Sequence, residues 1–254
     1  MKPLKNIAYT YEYEQFEKEA KQKQAWLLDD AYFFKEYETK LEDGYSFHIL
    51  EYRYTQTRKA DWKKELVESV QNSYCVEIKY GSHTIYKENN TLYTPALIIQ
   101  KIINHPNKNK YILFRRDLYG YSVFNCNTKQ VFHYIPEGYL EGKETFIWVQ
   151  GEFFKREGGL LLISGCFWAC PYSTLVVDFS EPEKQPYPCF DCNEVIAELE
   201  KEEYYYNDID FLGFTPEYDM QIKVQLYEDE PQLKKSPIQI ISKSQYLLCL
   251  NKTK

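Results

Sequence analysis

The feature that most constrains this chain is a succession of short apolar segments between Lys110 and Pro182, separated by tight-turn sequences. Apolar and polar residues alternate within the segments, as they do in strands. The separators contain Asp, Asn and Gly, which favour hairpin turns. The segments are Tyr111 to Phe114, Tyr121 to Phe124, Gln130 to Tyr134, Phe146 to Val149, Leu160 to Cys166 and Thr174 to Phe179. We therefore predict a meander of consecutive antiparallel strands, with hairpin turns near 118–119 and 127–128.

The N-terminal part of the chain mixes helix and strand patterns. Glu14 to Phe34 is rich in helix-forming residues, with apolar residues near helical spacing, and is predicted to be a helix. A second helix is predicted over 62–70, where one helical face would carry Trp62, Leu66, Val67 and Val70. Tyr45 to Thr55 is predicted to be a strand, and Cys75 to Tyr80 with His83 to Lys87 a hairpin.

Two further regions complete the prediction. Ala96 to Ile103 follows a Thr-Pro pair that can start a helix, and helix is favoured there over the strand that its isoleucines also permit. A short helix is predicted from Asn193. Four strands are then predicted, at Ile209 to Phe214, Met220 to Leu226, Ile238 to Ile241 and Gln245 to Leu250.

The fold class is therefore α+β, mostly antiparallel β, with propeller-like meander sheets and helices mainly in the N-terminal third. We divide the chain into a mixed helix and strand region, 1–105, and a β-meander region, 106–254. Both are expected to belong to one continuous globular unit.

An internal similarity supports the propeller-like description. The segment from Ser122 to Gln130 and the one from Leu175 to Glu183 each read as an apolar strand, then Asn or Asp, then an apolar residue and a turn. They are about 52 residues apart, near the blade length of some propellers. With the Trp168-Ala-Cys-Pro-Tyr172 sequence and Val177-Asp-Phe-Ser180, this region resembles uncharacterised bacterial proteins with blade-type meander repeats. The resemblance covers about 70 residues and implies an incomplete, propeller-like sheet, since a closed ring takes at least four blades.

Composition excludes several classes of partner. The chain has 44% hydrophobic and 27% charged residues and no apolar run near the ~20 residues of a membrane span, so a membrane partner is not expected. The formal net charge of −7 disfavours nucleic acid, which binds through clustered Lys and Arg. No secretory signal follows Met1, and seven cysteines suit a reducing compartment. The sequence predicts a cytoplasmic protein.

Cysteine is the strongest candidate for special chemistry. Cys166 and Cys170 form one close pair, and Cys189 and Cys192 form another, as in some structural zinc sites. The unequal spacing and the lack of knuckle glycines favour free, metal-free thiols instead. We therefore predict no metal and no cofactor, with zinc binding left as the alternative.

Signals for catalysis are absent from the sequence. It has no phosphate-binding Gly-Lys-Ser/Thr loop, no dinucleotide-binding glycine pattern, no His-Glu-x-x-His and no Gly-x-Ser-x-Gly. Its four histidines cannot be paired with a cysteine from sequence alone. No catalytic residue is predicted, and a non-catalytic role is favoured while an enzymatic one stays open.

Two loops are candidates for recognition. The first joins paired strands and carries Arg115 and Arg116, predicted to be free for binding, Asp117, predicted chiefly to form the turn, and Tyr119. The second carries Trp168 and Tyr172 beside a proline. Exposed, these two aromatic residues would anchor a partner. Because Trp is usually well buried, Trp168 is predicted to fill the core, with the anchor as the alternative.

Aromatic content guides the functional expectation. The chain has 25 Tyr, 15 Phe and 4 Trp, which suits sheet surfaces as well as binding surfaces. We expect a non-catalytic protein of the interaction, inhibitor or immunity type, which binds another protein through a Tyr-rich acidic surface. The alternative is a small-molecule-binding protein or enzyme with a pocket at the mouth of the sheet. The sequence does not determine the oligomeric state.

Overall fold

The structure is a computed structural model that describes residues 4–59, 66–90, 93–168, 170, 172–200, 206–226 and 238–253. About half of these residues belong to four antiparallel sheets, and in three of the sheets the strand order follows the chain. Sheet 1 contains β1 (Phe33–Lys40), β2 (Tyr45–Lys59), β3 (Leu66–Tyr80) and β4 (His83–Asn90). Sheet 2 contains β5 (Ala96–Leu97), β6 (Ile103–Asn104), β7 (Lys110–Arg115), β8 (Tyr121–Asn125) and β9 (Val131–Tyr134).

Two more sheets and three helices complete the described fold. Sheet 3 contains β10 (Ile147–Phe154), β11 (Leu160–Cys166), β12 (Ser173–Asp178) and β13 (Cys189–Asp191). Sheet 4 contains β14 (Tyr206–Phe214), β15 (Met220–Leu226) and β16 (Ile238–Ile241). The α-helices are α1 (Tyr11–Gln24), α2 (Cys192–Glu200) and α3 (Lys243–Lys252). In the described part of the chain, none of the helices combines the length and apolar character that crossing a membrane requires.

Each sheet packs on the next through a separate apolar cluster. In β7, Tyr111 and Leu113 pack against sheet 3, whereas Ile112 and Phe114 pack against sheet 1. In β11, Leu161 and Ile163 face sheet 2, whereas Leu160 and Leu162 face sheet 4. Alternate side chains of one strand point to opposite faces, so the central sheets bury both faces. This explains why the apolar segments of sheets 2 and 3 are almost continuous.

The predicted meander is confirmed within two sheets. β7 to β9 are consecutive antiparallel strands of sheet 2, with hairpin turns at the two predicted positions, and β10 to β12 are consecutive antiparallel strands of sheet 3. The chain passes from one sheet to the other between β9 and β10. The predicted strand beginning at Tyr45, the hairpin of β3 and β4, the helix near Asn193 and the first three C-terminal strands are also present. The fold is α+β and mostly antiparallel, with a helix near the N-terminus and two further helices in the last quarter of the chain.

The segment 96–103 is not a helix, contrary to the prediction. β5 and β6 both pair with β7, and the chain bends between them. Its isoleucines are buried on both sides: Ile99 and Ile103 face sheet 3, and Ile102 faces sheet 1. Because 96–103 pairs with the edge of β7, its side chains contact both sheet 1 and sheet 3. The burial gained from these contacts outweighs the local preference of the Thr-Pro sequence for starting a helix. Sheet 2 therefore contains strands from both sides of residue 105, where the predicted N-terminal region ends.

Other helix boundaries also differ from the prediction. The predicted helix at 62–70 is wrong from Leu66 onward because β3 pairs with β2 over its whole length, while Trp62 and the rest of that segment lie outside the described residues. The first helix ends at Gln24, and Phe33 already begins β1. Gln245 to Leu250 is helical rather than extended. There Ser242 and Gln245 form a reciprocal capping box, a sequence signal that the strand prediction overlooked.

Two leucines test whether the core between sheets 2 and 3 carries the stability of the fold. Leu161 is fully buried, whereas Leu248 on α3 is 57% exposed. We expect Leu161→Ala to lower the free energy of unfolding by about 2–5 kcal/mol, because a cavity remains at the site. Leu248→Ala should change it by about 0.5 kcal/mol or less. Urea denaturation of both variants measures this, and equal losses would contradict the proposed core.

Candidate functional site

A cleft of about 500 Å³ lies over the face of sheet 3 that is directed toward sheet 4. Its floor crosses three neighbouring strands. Gln150 of β10 is paired with Ser164 of β11, which is paired in turn with Thr174 of β12. All three line the cleft, so amide and hydroxyl groups replace the apolar side chains that sheet 3 carries further along the same face.

The two sides of the cleft come from different sheets. On the β10 side, the segment from Ile98 to Lys101 is held by the Gly151 N–H, which donates to the Ile98 carbonyl at 2.9 Å. On the β12 side, the Ile209 carbonyl of β14 accepts from the Thr174 hydroxyl at 3.0 Å. The cleft thus lies beside β10 and β14, the first strands of sheets 3 and 4, and beside the bend that connects β5 and β6 of sheet 2.

Charged side chains line the cleft without pairing. Lys101 belongs to the sheet 2 side, Glu152 to β10 and Asp210 to the sheet 4 side. Within the described part of the chain, the side chains of these three residues, and those of Gln150 and Ser164, form no hydrogen bond or ion pair. Their hydrogen-bonding capacity is therefore open to a ligand or to water.

The predicted recognition loop between β7 and β8 is instead a buried junction. The Arg116 guanidinium is ion-paired with Glu17 of α1 and with Glu88 of β4, at 2.8 Å from the latter. Lys21 lies 3.3 Å from Glu17 and 3.4 Å from Glu88. Burial alone would lower the pKa of Arg116, but the two carboxylates raise it, so the guanidinium stays charged. The expectation that Arg116 is free to bind is therefore wrong: it joins α1, sheet 1 and sheet 2.

Asp117 forms the turn, as predicted. Its Oδ1 accepts the backbone N–H groups of Tyr119, at 2.9 Å, and of Gly120. Burial raises the pKa of the Asp117 carboxyl to about 6, although the two backbone N–H groups oppose the shift. The second carboxyl oxygen is buried and has no hydrogen-bond partner among the described residues. Ionisation of the Asp117 carboxyl therefore destabilises the folded state.

The other two residues of this loop are only half-buried. The Arg115 guanidinium lies over the Tyr93 ring, 4.8 Å from its centre. Tyr119 lines a small cavity of about 50 Å³ together with Trp148 and Phe146. That cavity sits beside a stack of rings in which Tyr121 lies 4.1 Å from Trp148. Arg115 and Tyr119 therefore both lie against aromatic residues of the same protein.

The second predicted loop is exposed. Trp168 is 57% exposed and Tyr172 is 43% exposed, so the expectation that Trp168 fills the core is wrong. Phe167 is also exposed, and its ring contacts Phe146 edge-on at 5.5 Å. The Tyr172 carbonyl accepts from the Ile209 N–H at 3.1 Å, and Ile209 lines the cleft. We call Phe167, Trp168 and Tyr172 the aromatic loop, and this loop reaches the edge of the cleft through the backbone of Tyr172.

The sequence prediction placed none of its site residues in the cleft. The cleft residues belong to strands, and their common site depends on contacts between sheets. One signal was present: Ser164 and Thr174 interrupt apolar segments that otherwise bury both faces. Such polar residues mark the places where a buried sheet meets a cleft.

The cysteine pairs do not form a metal centre in the described part of the chain, where no three His, Cys, Asp or Glu side chains are placed to hold a metal ion. Cys170 is exposed and Cys166 half-buried, whereas Cys189 and Cys192 are buried. All seven cysteines are free thiols. Burial raises the pKa of the Cys189 thiol to about 11, so it is unreactive as a nucleophile.

A hydrogen-bonded chain on sheet 1 has the connectivity of a catalytic triad. The Ser46 hydroxyl lies 2.7 Å from His48 Nε2, and His48 Nδ1 lies 2.6 Å from the Glu36 carboxylate. Both Ser46 and His48 are buried, however, and neither lines the cleft. A nucleophile must be within reach of its substrate. We assign this series of hydrogen bonds a structural role, because it joins β1 to β2.

Comparison with known proteins identified no relative of this chain. No family model matches the chain, and neither a curated protein nor a solved structure matches it.

The first prediction for this region concerns Asp117. Because its pKa is raised in the folded state, its contribution to stability is greatest below about pH 4 and is lost as the pH rises through about 6. Asp117→Asn keeps the oxygen that accepts the turn hydrogen bonds. We expect this variant to gain on the order of 2 kcal/mol over the native protein at pH 7.5, and nothing at pH 4. Urea denaturation at both pH values measures the difference, with the exposed Asp30→Asn as control.

A loss of stability in Asp117→Asn at pH 7.5 would refute this assignment. It would mean that attraction between the Asp117 carboxylate and Arg116 outweighs burial. His133, whose pKa burial lowers to about 3, titrates in both proteins and cancels in the comparison.

The second prediction compares neighbouring arginines. Arg116→Met leaves Glu17 and Glu88 without their buried cation, so we expect it to lower the free energy of unfolding by about 3–5 kcal/mol. Arg115→Met removes a contact with one ring and should cost about 1 kcal/mol or less. Thermal and urea denaturation measure both variants. Equal costs would show that Arg116 is not the junction residue.

Proposed function

We propose that this chain is a non-catalytic recognition protein that binds another protein, as inhibitors and immunity proteins do. The observation that carries the proposal is the exposure of three large aromatic residues within one short loop, at Phe167, Trp168 and Tyr172. Exposed Trp and Tyr supply much of the binding energy at protein interfaces. The same residue types elsewhere in the described meander pack inside it, as Trp148 does.

Charge supports the type of partner. The chain has a formal net charge of −7, and the described residues that line the neighbouring cleft include the acidic Glu152 and Asp210 and one cation, Lys101. A basic partner would be attracted to this surface, and such attraction speeds association. We therefore propose a basic protein as the partner and the cytoplasm as the compartment, in keeping with seven free thiols.

We further propose that sheets 2 and 3 are successive units of a propeller-like architecture. The two similar sequence segments occupy the same place in their sheets, at β8 and β12, each followed by a turn. In those turns Asn125 accepts from the Asn127 N–H and Asp178 from the Ser180 N–H. Corresponding loops between the second and third strands would then lie at one end, and the aromatic loop is one of them.

A second candidate function is supported by the cleft. In propeller-like folds the first strands of the units line the centre, where ligands commonly bind. A volume of about 500 Å³ is within the range of small-molecule sites. We therefore keep ligand binding in the cleft as the alternative to protein recognition.

Two tryptophans provide a matched test of the recognition surface. We expect Trp168→Ala to leave the melting temperature unchanged and to weaken partner binding by about 2 kcal/mol or more, roughly 30-fold in Kd. Trp148→Ala empties a buried site and should cost about 3–5 kcal/mol of stability. The native protein and Trp168→Ala are each immobilised, exposed to a lysate of the native host, and the retained proteins are quantified.

A basic protein that the native chain retains and Trp168→Ala loses supports the proposal, and its Kd is then measured with purified components. Equal retention by both chains, or no retention by either, would contradict it. A lowered melting temperature of Trp168→Ala would show that Trp168 serves packing instead.

A further inference from the structure

We propose that the cleft binds a free short peptide of about three residues, whose carboxylate contacts Lys101 and whose ammonium group contacts Asp210. This inference rests on the second candidate function, ligand binding in the cleft, and not on the aromatic loop. It gives that site a ligand class.

The distribution of charge favours a ligand with both signs. Lys101 and Asp210 lie on opposite sides of the floor formed by β10, β11 and β12. Neither side chain has an ion-pair partner among the described residues. A ligand with a single charge would satisfy one side and leave the other unpaired. A ligand with an anionic and a cationic end satisfies both.

The width of the floor sets the length of the ligand. β10 and β12 are two strand spacings apart, which is about 10 Å. An extended peptide spans about 3.3–3.6 Å per residue, so three residues cover this distance. A single amino acid, with its charged groups on one carbon atom, is too short to reach both sides.

The floor and one wall suit the body of a peptide. Gln150 and Ser164 offer donors and acceptors without partners in the described residues, matching the N–H and C=O groups of a backbone. The Thr174 hydroxyl already donates to Ile209 and remains free to accept. Beside them, Leu162, Ile209 and Phe211 provide an apolar surface for side chains. Glu152 of β10 lies on the same side of the cleft as Lys101 and opposes the approach of the ligand's carboxylate there.

The probe is trialanine with free termini, titrated into the ¹⁵N-labelled full chain. We expect chemical-shift changes centred on the amides of Gly151, Ser164 and Ile209. Trialanine amide, N-acetyl-trialanine and alanine should each bind more weakly by up to about fivefold, the scale of one exposed ion pair. Hexaalanine should also bind more weakly, because its charges are too far apart.

Variants then assign the two contacts. Lys101→Gln should abolish the preference for trialanine over its amide, and Asp210→Asn the preference over the N-acetyl form. The exposed Lys18→Gln and Asp30→Asn serve as matched controls and should behave as the native chain. Shift changes outside the cleft, or equal binding of trialanine, its amide and hexaalanine, would overturn the inference. The aromatic loop is intact in every one of these variants, so a negative result with the peptides does not affect the partner-capture experiment. Such a result would show only that the assignment of a peptide ligand to the cleft is wrong.

Discussion

The structure depends on sheets 2 and 3 burying both of their faces. Side chains alternate along each strand, so one strand such as β7 or β11 packs against two neighbouring sheets at once. Exposing either face of these sheets to solvent would therefore expose part of a hydrophobic core. This constraint fixes the order of the layers, with sheets 1 and 4 outermost among the described sheets.

Charged residues serve two different purposes in this molecule. Around Arg116, charges of both signs are buried and paired, and they join α1 to sheets 1 and 2. Removing one partner from such a group leaves a buried charge unpaired, so the group acts as a rigid connection. Around the cleft, Lys101, Glu152 and Asp210 are unpaired in the described part of the chain and remain accessible. The contrast separates residues that hold the fold from residues that are available for binding.

The aromatic loop reaches the cleft through Tyr172. They are joined at β12, where the Tyr172 carbonyl and the Thr174 hydroxyl bond to the backbone of Ile209. Sheet 4 therefore contributes to the region by covering part of sheet 3 while leaving its polar end open. A recognition surface at this place would combine apolar anchors with unpaired polar groups, a combination typical of binding sites.

The sequence by itself determined the local hairpins of the meander, because alternation and turn residues act between neighbours in the chain. Asp117 and Asn125 could be placed in their turns for the same reason. Tertiary structure decided the rest. The segments 66–70 and 96–103 carry helical patterns. Pairing with β2 makes 66–70 part of a strand, and pairing with β7 together with burial on two sides makes 96–103 the strands β5 and β6 with a bend between them. Only the packing of sheets reveals that Arg116 is buried, that Trp168 is exposed and that Ser164 faces a cleft, because burial depends on elements that are distant in sequence.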